Sequence, residues 1–215
     1  MSQHVVLLAH GSPDPRSAAA VRGAAAELTG RTGLAVSPAF LDHDLPGLAT
    51  AVGEVPAGHD VVVLPMLLSS AFHARVDVPA AVARLTRAVT LLDPVGHPPD
   101  VLDEVLHRAD GPVVLVAAGT RVDAEREEFA AALAAAASRS GVDARPAFAT
   151  GPGPDVRAAL DAAPDASIAL WLLAPGRMSD GVLATAAAHG RDADASTLLS
   201  SETMLAHLAD RVSGA

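Results

Sequence analysis

The sequence predicts an α/β protein built from two similar parallel-sheet halves, with a cleft between them. Three observations lead there. Short apolar runs of strand length alternate with longer Ala- and Leu-rich segments, the pattern of parallel strands joined by helical crossovers. The runs are continuously apolar rather than alternating, as strands covered on both faces are. The chain also repeats itself: VVLVAAGT at 113–120 echoes VVLLAHGS at 5–12, an offset of 108 residues. The same offset sets Gly141 on Gly33 and Pro146-Ala147-Phe148 on Pro38-Ala39-Phe40, while Leu172-Leu173 falls on Leu67-Leu68 at an offset of 105. Order and spacing persist over three separate segments, which makes a duplicated unit the economical reading.

The elements follow in order. Residues 5–9 form the first buried strand, and 17–30, ending at a glycine, the first helix. Strands are expected at 34–41, 60–67 and 89–92, with helices at 46–52 and 78–88. The second half repeats this with strands at 113–117, 144–149, 168–173 and 197–199 and a helix at 123–140. The Pro- and Gly-rich stretch 93–99, a short helix to Arg108 and then Gly111-Pro112 mark a seam, which divides the chain into domains 1–108 and 109–215.

Composition excludes whole classes of function. The chain contains no cysteine, so disulfides, thiolate metal sites, iron–sulfur clusters and cysteine nucleophiles are all absent. A formal net charge of −10 argues against nucleic-acid or membrane-surface partners, which require a positive face. No run approaches a membrane span, and the start lacks the basic and apolar regions of a signal peptide, so a cytoplasmic location is expected.

In open parallel sheets, ligands collect beyond the C-terminal ends of the strands. His10 stands at such an end, and His73 follows the strand at 60–67 by a few residues. Two imidazoles on one rim can bind a divalent metal or take up protons near neutral pH. The repeat supplies an internal control. Ala118 stands opposite His10 and Met178 opposite His73, so the fold does not need these histidines for packing, and one working site is expected in the first half.

His4, His59, His107, His189 and His207 read as surface residues, while His43 and His97 stay open. Asp14, Asp42, Asp44 and Asp77 follow strand ends as helix caps or proton acceptors. Arg16, Arg75, Arg121 and Arg177 follow rim turns, where guanidinium groups suit the carboxylates of an anionic ligand or remain as solvated charge.

At LLAHGS (7–12), at VLPMLLSSAFH (63–73) leading to Asp77-Val78-Pro79, and at LDPVGHP (92–98), the sequence resembles the class II chelatases of the CbiX/SirB type. It resembles their two-repeat form along essentially the whole chain. What the resemblance implies is ATP-independent insertion of a divalent metal into sirohydrochlorin, for siroheme or cobalamin synthesis. The metal, Co²⁺ or Fe²⁺ with Ni²⁺ also within reach of imidazole ligation, is a substrate, and no organic cofactor is expected.

His10 and His73 match the family's catalytic, metal-contacting histidines. Ser12, Arg16, Ser69, Ser70, Arg75 and Arg177 are the expected contacts to the anionic tetrapyrrole, in a monomer or homodimer. Ser69-Ser70-Ala71 departs from the proline and glycine of many relatives, although the second half keeps Ala174-Pro175-Gly176. A metal or tetrapyrrole carrier is the non-catalytic alternative. A histidine phosphatase is disfavoured because Ala9, not arginine, precedes His10.

Overall fold

A computed structural model describes residues 2–69 and 76–215. Ser70, His73 and Arg75 lie outside the described residues. The chain forms two compact units, one of Met1–Gly96 with Met204–Ala215 and one of His97–Thr203.

The first unit opens with β1 (Ser2–Ala9), α1 (Pro15–Thr32), β2 (Ala35–Phe40), α2 (Leu48–Gly53), β3 (His59–Pro65), α3 (Val78–Val82) and β4 (Thr90–Leu91). Its sheet is parallel, in the order β2-β1-β3-β4, so β1 lies inside it with Val5 between Val36 and Val62. Val6, Leu8, Val61 and Val63 pack with Leu48, Val52 and Val78 into one core layer. The alternate residues Val5, Leu7, Val62 and Leu64 point to the opposite face and are also buried, which is why the run reads as continuously apolar. On α1, Ala18, Val21, Ala25 and Leu28 recur at helical spacing and are buried. Asp14 accepts a hydrogen bond from the Arg16 amide to cap the helix, Pro15 occupies its first turn, and Gly33 ends it at φ 70°.

The second unit contains α4 (Pro99–His107), β5 (Val113–Ala117), α5 (Asp123–Ser140), β6 (Ala144–Phe148), α6 (Val156–Ala162), β7 (Ser167–Trp171) and α7 (Arg177–Ala188). Its parallel sheet, β6-β5-β7, repeats the β2-β1-β3 order. The duplication extends to single hydrogen bonds. Leu41 N–H donates to Ala9 O and Ala149 N–H to Ala117 O, both at 2.9 Å. Phe40 N–H donates to Pro46 O and Phe148 N–H to Pro154 O, both at 3.0 Å. Gly141 ends α5 at φ 71°, as Gly33 ends α1.

Three expectations change. The strand expected at 197–199 is a 3₁₀ turn at Leu198–Ser200. Its place beside β7 is taken by a single bridge from Ala193 to Ile168, after which Asp194 accepts from Ser196 N–H, and Leu198 and Leu199 N–H donate to Leu172 O and Leu173 O just beyond β7. The helix expected at 78–88 ends at Val82, while α6, α7 and the last helix, α8 (Glu202–Ser213), have bounds that the sequence reading does not give.

The compact units also divide at Gly96/His97 rather than at 108/109. Helix α4 packs on α5, where Arg139 holds Asp103 through two hydrogen bonds of 3.0 and 2.7 Å. Most of α8 instead belongs to the first unit. There Arg211 donates to Pro94 O at 2.8 Å and to Asp93 O at 2.6 Å.

Candidate functional site

His10 is the first residue beyond β1, and the loop after β2 is laced onto it. Asp42 N–H donates to His10 O at 2.9 Å, and Asp44 Oδ2 accepts from Ser12 N–H at 3.1 Å. This approach is open only to glycine at position 11. Gly11 has φ +92°, and a Cβ there would stand 1.8 Å from Asp42 O. The second copy keeps the device: Gly119 has φ +96°, with Thr150 O at 2.0 Å from its ideal Cβ.

The laced loop brings His43 to His10. Their ring centroids are 6.4 Å apart and the rings nearly perpendicular, at 89°. His43 has φ 63°, Asp42 Oδ1 accepts its N–H at 2.8 Å, and Asp42 Oδ2 lies 3.5 Å from its Nε2. His10 borders a depression of about 290 Å³ together with Leu41, Asp42, Asp77, Ala80, Ala81 and Arg84. Two carboxylates against one guanidinium favour a cation there, and the neighbouring imidazoles can ligate one in their neutral form. Among the described residues, no three His, Asp or Glu side chains cluster to hold a metal ion by themselves.

A model of the CbiX family matches residues 4–111, half of the chain. The chain belongs to the CbiX family. Solved structures share the CbiX fold over nearly the whole length. SirB from Bacillus subtilis with Fe³⁺ superposes with a TM-score of 0.76 at 22% identity, covering 99% of this chain and 94% of that one. SirB from Bacillus subtilis subspecies spizizenii in complex with cobalt gives 0.75 at 18% identity, with the same coverage of 99% and 94%. CbiX, the terminal enzyme for biosynthesis of siroheme in denitrifying bacteria, gives 0.74 at 19% identity, covering 99% of both chains. No curated protein sequence matches the chain.

Within this CbiX fold, the residues expected at the site separate. His10, Asp42 and Asp77 border one depression, and His43 joins them. The Ser12 hydroxyl accepts from Asp14 N–H at 3.1 Å, and Ser69 sits in the bend after β3. Arg16 is engaged by Asp14 through hydrogen bonds of 3.0 and 2.7 Å, which offsets its charge locally. Arg177 begins α7 in the second unit. Sequence reasoning missed Arg84, although a signal existed: Ala80, Ala81 and Arg84 share one face of the helix expected at 78–88, and Arg84 borders the depression from the turn after α3.

Three of the other histidines have local partners. His4 Nε2 and Ser37 Oγ share a hydrogen bond of 2.9 Å, and the Nδ1 atoms of His107 and His189 bond the Asp103 and Thr185 carbonyls at 2.6 and 2.8 Å.

His97 belongs to an aromatic cluster of the second unit. Its Nδ1 accepts from Trp171 Nε1–H at 2.9 Å, and its ring lies 5.3 Å from that of Phe129. Burial pulls its pKa below 6.5, opposed by Glu128. Protonation would place a hydrogen on Nδ1 and break the bond from the indole. A folded-state pKa below the unfolded one gives a contribution complete above about pH 6.5 and lost progressively as the pH falls below it. His97→Gln supplies an amide oxygen to the same indole. Thermal unfolding across about pH 5 to 8 is expected to show a shallower acid-side loss in this variant. Trp171, the only tryptophan, is the fluorescence probe, and His4, also shifted down by burial, supplies a remaining slope. An unchanged pH profile would remove His97 from this role.

Proposed function

We propose that this chain inserts a divalent metal ion, Co²⁺ or Fe²⁺, into sirohydrochlorin without ATP. The observation that carries the reading is His10, held just beyond the buried β1 strand in an acid-lined depression with His43 beside it. Support also comes from the solved relatives of this fold, SirB with Fe³⁺, SirB with cobalt and a CbiX of siroheme biosynthesis.

The chemistry is balanced. A divalent ion enters the macrocycle as two pyrrole N–H protons leave it. His10 and its motif partner His73 contact the ion and take up protons, and His43 adds an imidazole at the same place. Neutral imidazoles suit both tasks near pH 7. Asp42 and Asp77 keep the local potential negative, which favours the incoming cation and the departing protons. Ser12, Ser69, Ser70, Arg75 and Arg177 are the proposed substrate contacts, with Arg16 available only through exchange with Asp14. A cytoplasmic location fits this chemistry, and no described helix is long and apolar enough to cross a membrane.

The test is anaerobic incubation of the whole chain with sirohydrochlorin and Co²⁺ or Fe²⁺, followed by the change in macrocycle absorbance. Insertion faster than without protein is expected. Binding of the macrocycle or the ion without acceleration would overturn the reading and leave a carrier.

A further inference from the structure

The second copy retains a depression at the place where the first holds its histidine, and its charge is of the opposite sign. The depression measures about 420 Å³, and its lining includes Thr150, Val156, Arg177, Met178, Val182 and Thr185. Across the repeat, Thr150 replaces Asp42, Val182 replaces Asp77 and Thr185 replaces Ala80, while Ala118 and Met178 replace His10 and His73. The two carboxylates and the histidine that suit the first depression to a cation are gone. Arg177 is the one charged residue among those that line the second.

Arg177 is exposed and pairs with no carboxylate among the described residues. Arg108, Arg126 and Arg139 in the same unit are each held by an acid.

We propose that this depression is an anion site that takes a carboxylate carried on a short alkyl arm. Arg177 meets the carboxylate, and Val156, Met178 and Val182 cover the methylenes. The hydroxyls do not compete for the role. Thr150 donates its proton to Ala118 O and Thr185 to Gly181 O, both at 2.9 Å, so neither has a proton left for an anion. Recognition therefore rests on one guanidinium, which suits a single carboxylate and gives a small free acid millimolar affinity. The arm belongs either to a free acid or to a larger polycarboxylate, such as the tetrapyrrole proposed above.

Butyrate titrated into the ¹⁵N-labelled whole chain tests the site. Saturable amide shifts are expected at Gly181, Val182 and Thr185. Arg177→Gln should abolish them, Arg177→Lys should preserve them at lower affinity, and butan-1-ol should not produce them. Absence of saturable shifts, their survival in Arg177→Gln, or equal shifts with butan-1-ol would overturn the proposal. Displacement of butyrate by metal-free sirohydrochlorin would assign the arm to the substrate, and no displacement would assign it to a free acid; both leave the anion site standing. The titration uses neither metal nor turnover, so its failure is distinguishable from a failure of the insertion reading.

Discussion

Replacing His10 with alanine is expected to lower the rate of metal insertion by about 10²–10⁴-fold, the usual worth of a positioned proton acceptor, with little change in thermal midpoint. The strand that delivers His10 is anchored without it. Val5, Val6, Leu7 and Leu8 are each fully buried, and the hydrogen bond that laces position 10 to Asp42 uses the backbone carbonyl, which alanine retains. The second copy already shows the result structurally: Ala118 accepts the corresponding bond from Thr150 N–H at 3.0 Å. Steady-state absorbance kinetics and a melting curve on the same preparation make the measurement. A variant with wild-type turnover would remove His10 from the chemistry. His73→Ala is expected to match it, whereas His43→Ala should give a smaller loss because its ring is the more exposed of the pair in the first unit.

Gly11→Ala should be the most damaging conservative change in the first unit. A methyl group at φ +92° is strained, and it would also meet Asp42 O at 1.8 Å, so the loop bearing Asp42 and His43 must retreat. The expected cost is about 2–4 kcal/mol, or roughly 10 °C or more in the unfolding midpoint of a unit of this size. Gly119→Ala meets the same obstacle in the second unit, with Thr150 O at 2.0 Å, and should cost a similar amount. The two variants should differ in turnover. Per folded molecule, Gly11→Ala loses most insertion activity because His43 leaves His10, whereas Gly119→Ala keeps it within a few-fold. Equal losses would contradict a single working site in the first copy.

Much of this architecture was legible because the strands are covered on both faces. Val5–Ala9 and Val113–Ala117 announce themselves as apolar runs, and Gly33 and Gly141 mark helix ends through a backbone conformation that glycine adopts without cost. The edges were harder. The stretch 192–199 contains Leu198 and Leu199, which suggest a strand, but Asp194 and Ser196 form a local turn that composition alone does not weigh.

At the site, His10 was legible from its place after a buried strand. His43 was not decided, because its approach depends on the loop after β2 folding back over Gly11, a tertiary contact with no local signature. The compact units part inside the Pro- and Gly-rich stretch 93–99, but the side to which the next helix belongs was not legible. Helix α4 follows Pro98 and looks like a connector, yet its attachment comes from Asp103 meeting Arg139 on a helix more than thirty residues away.

The grip of Arg211 on the Asp93 and Pro94 carbonyls carries a consequence for biosynthesis. The second unit is one uninterrupted segment, His97–Thr203, and can complete itself as soon as that segment clears the ribosome. The first unit includes Met204–Ala215, so its final closure waits until that segment too has been translated. The unit that bears His10 begins before the other and closes after it.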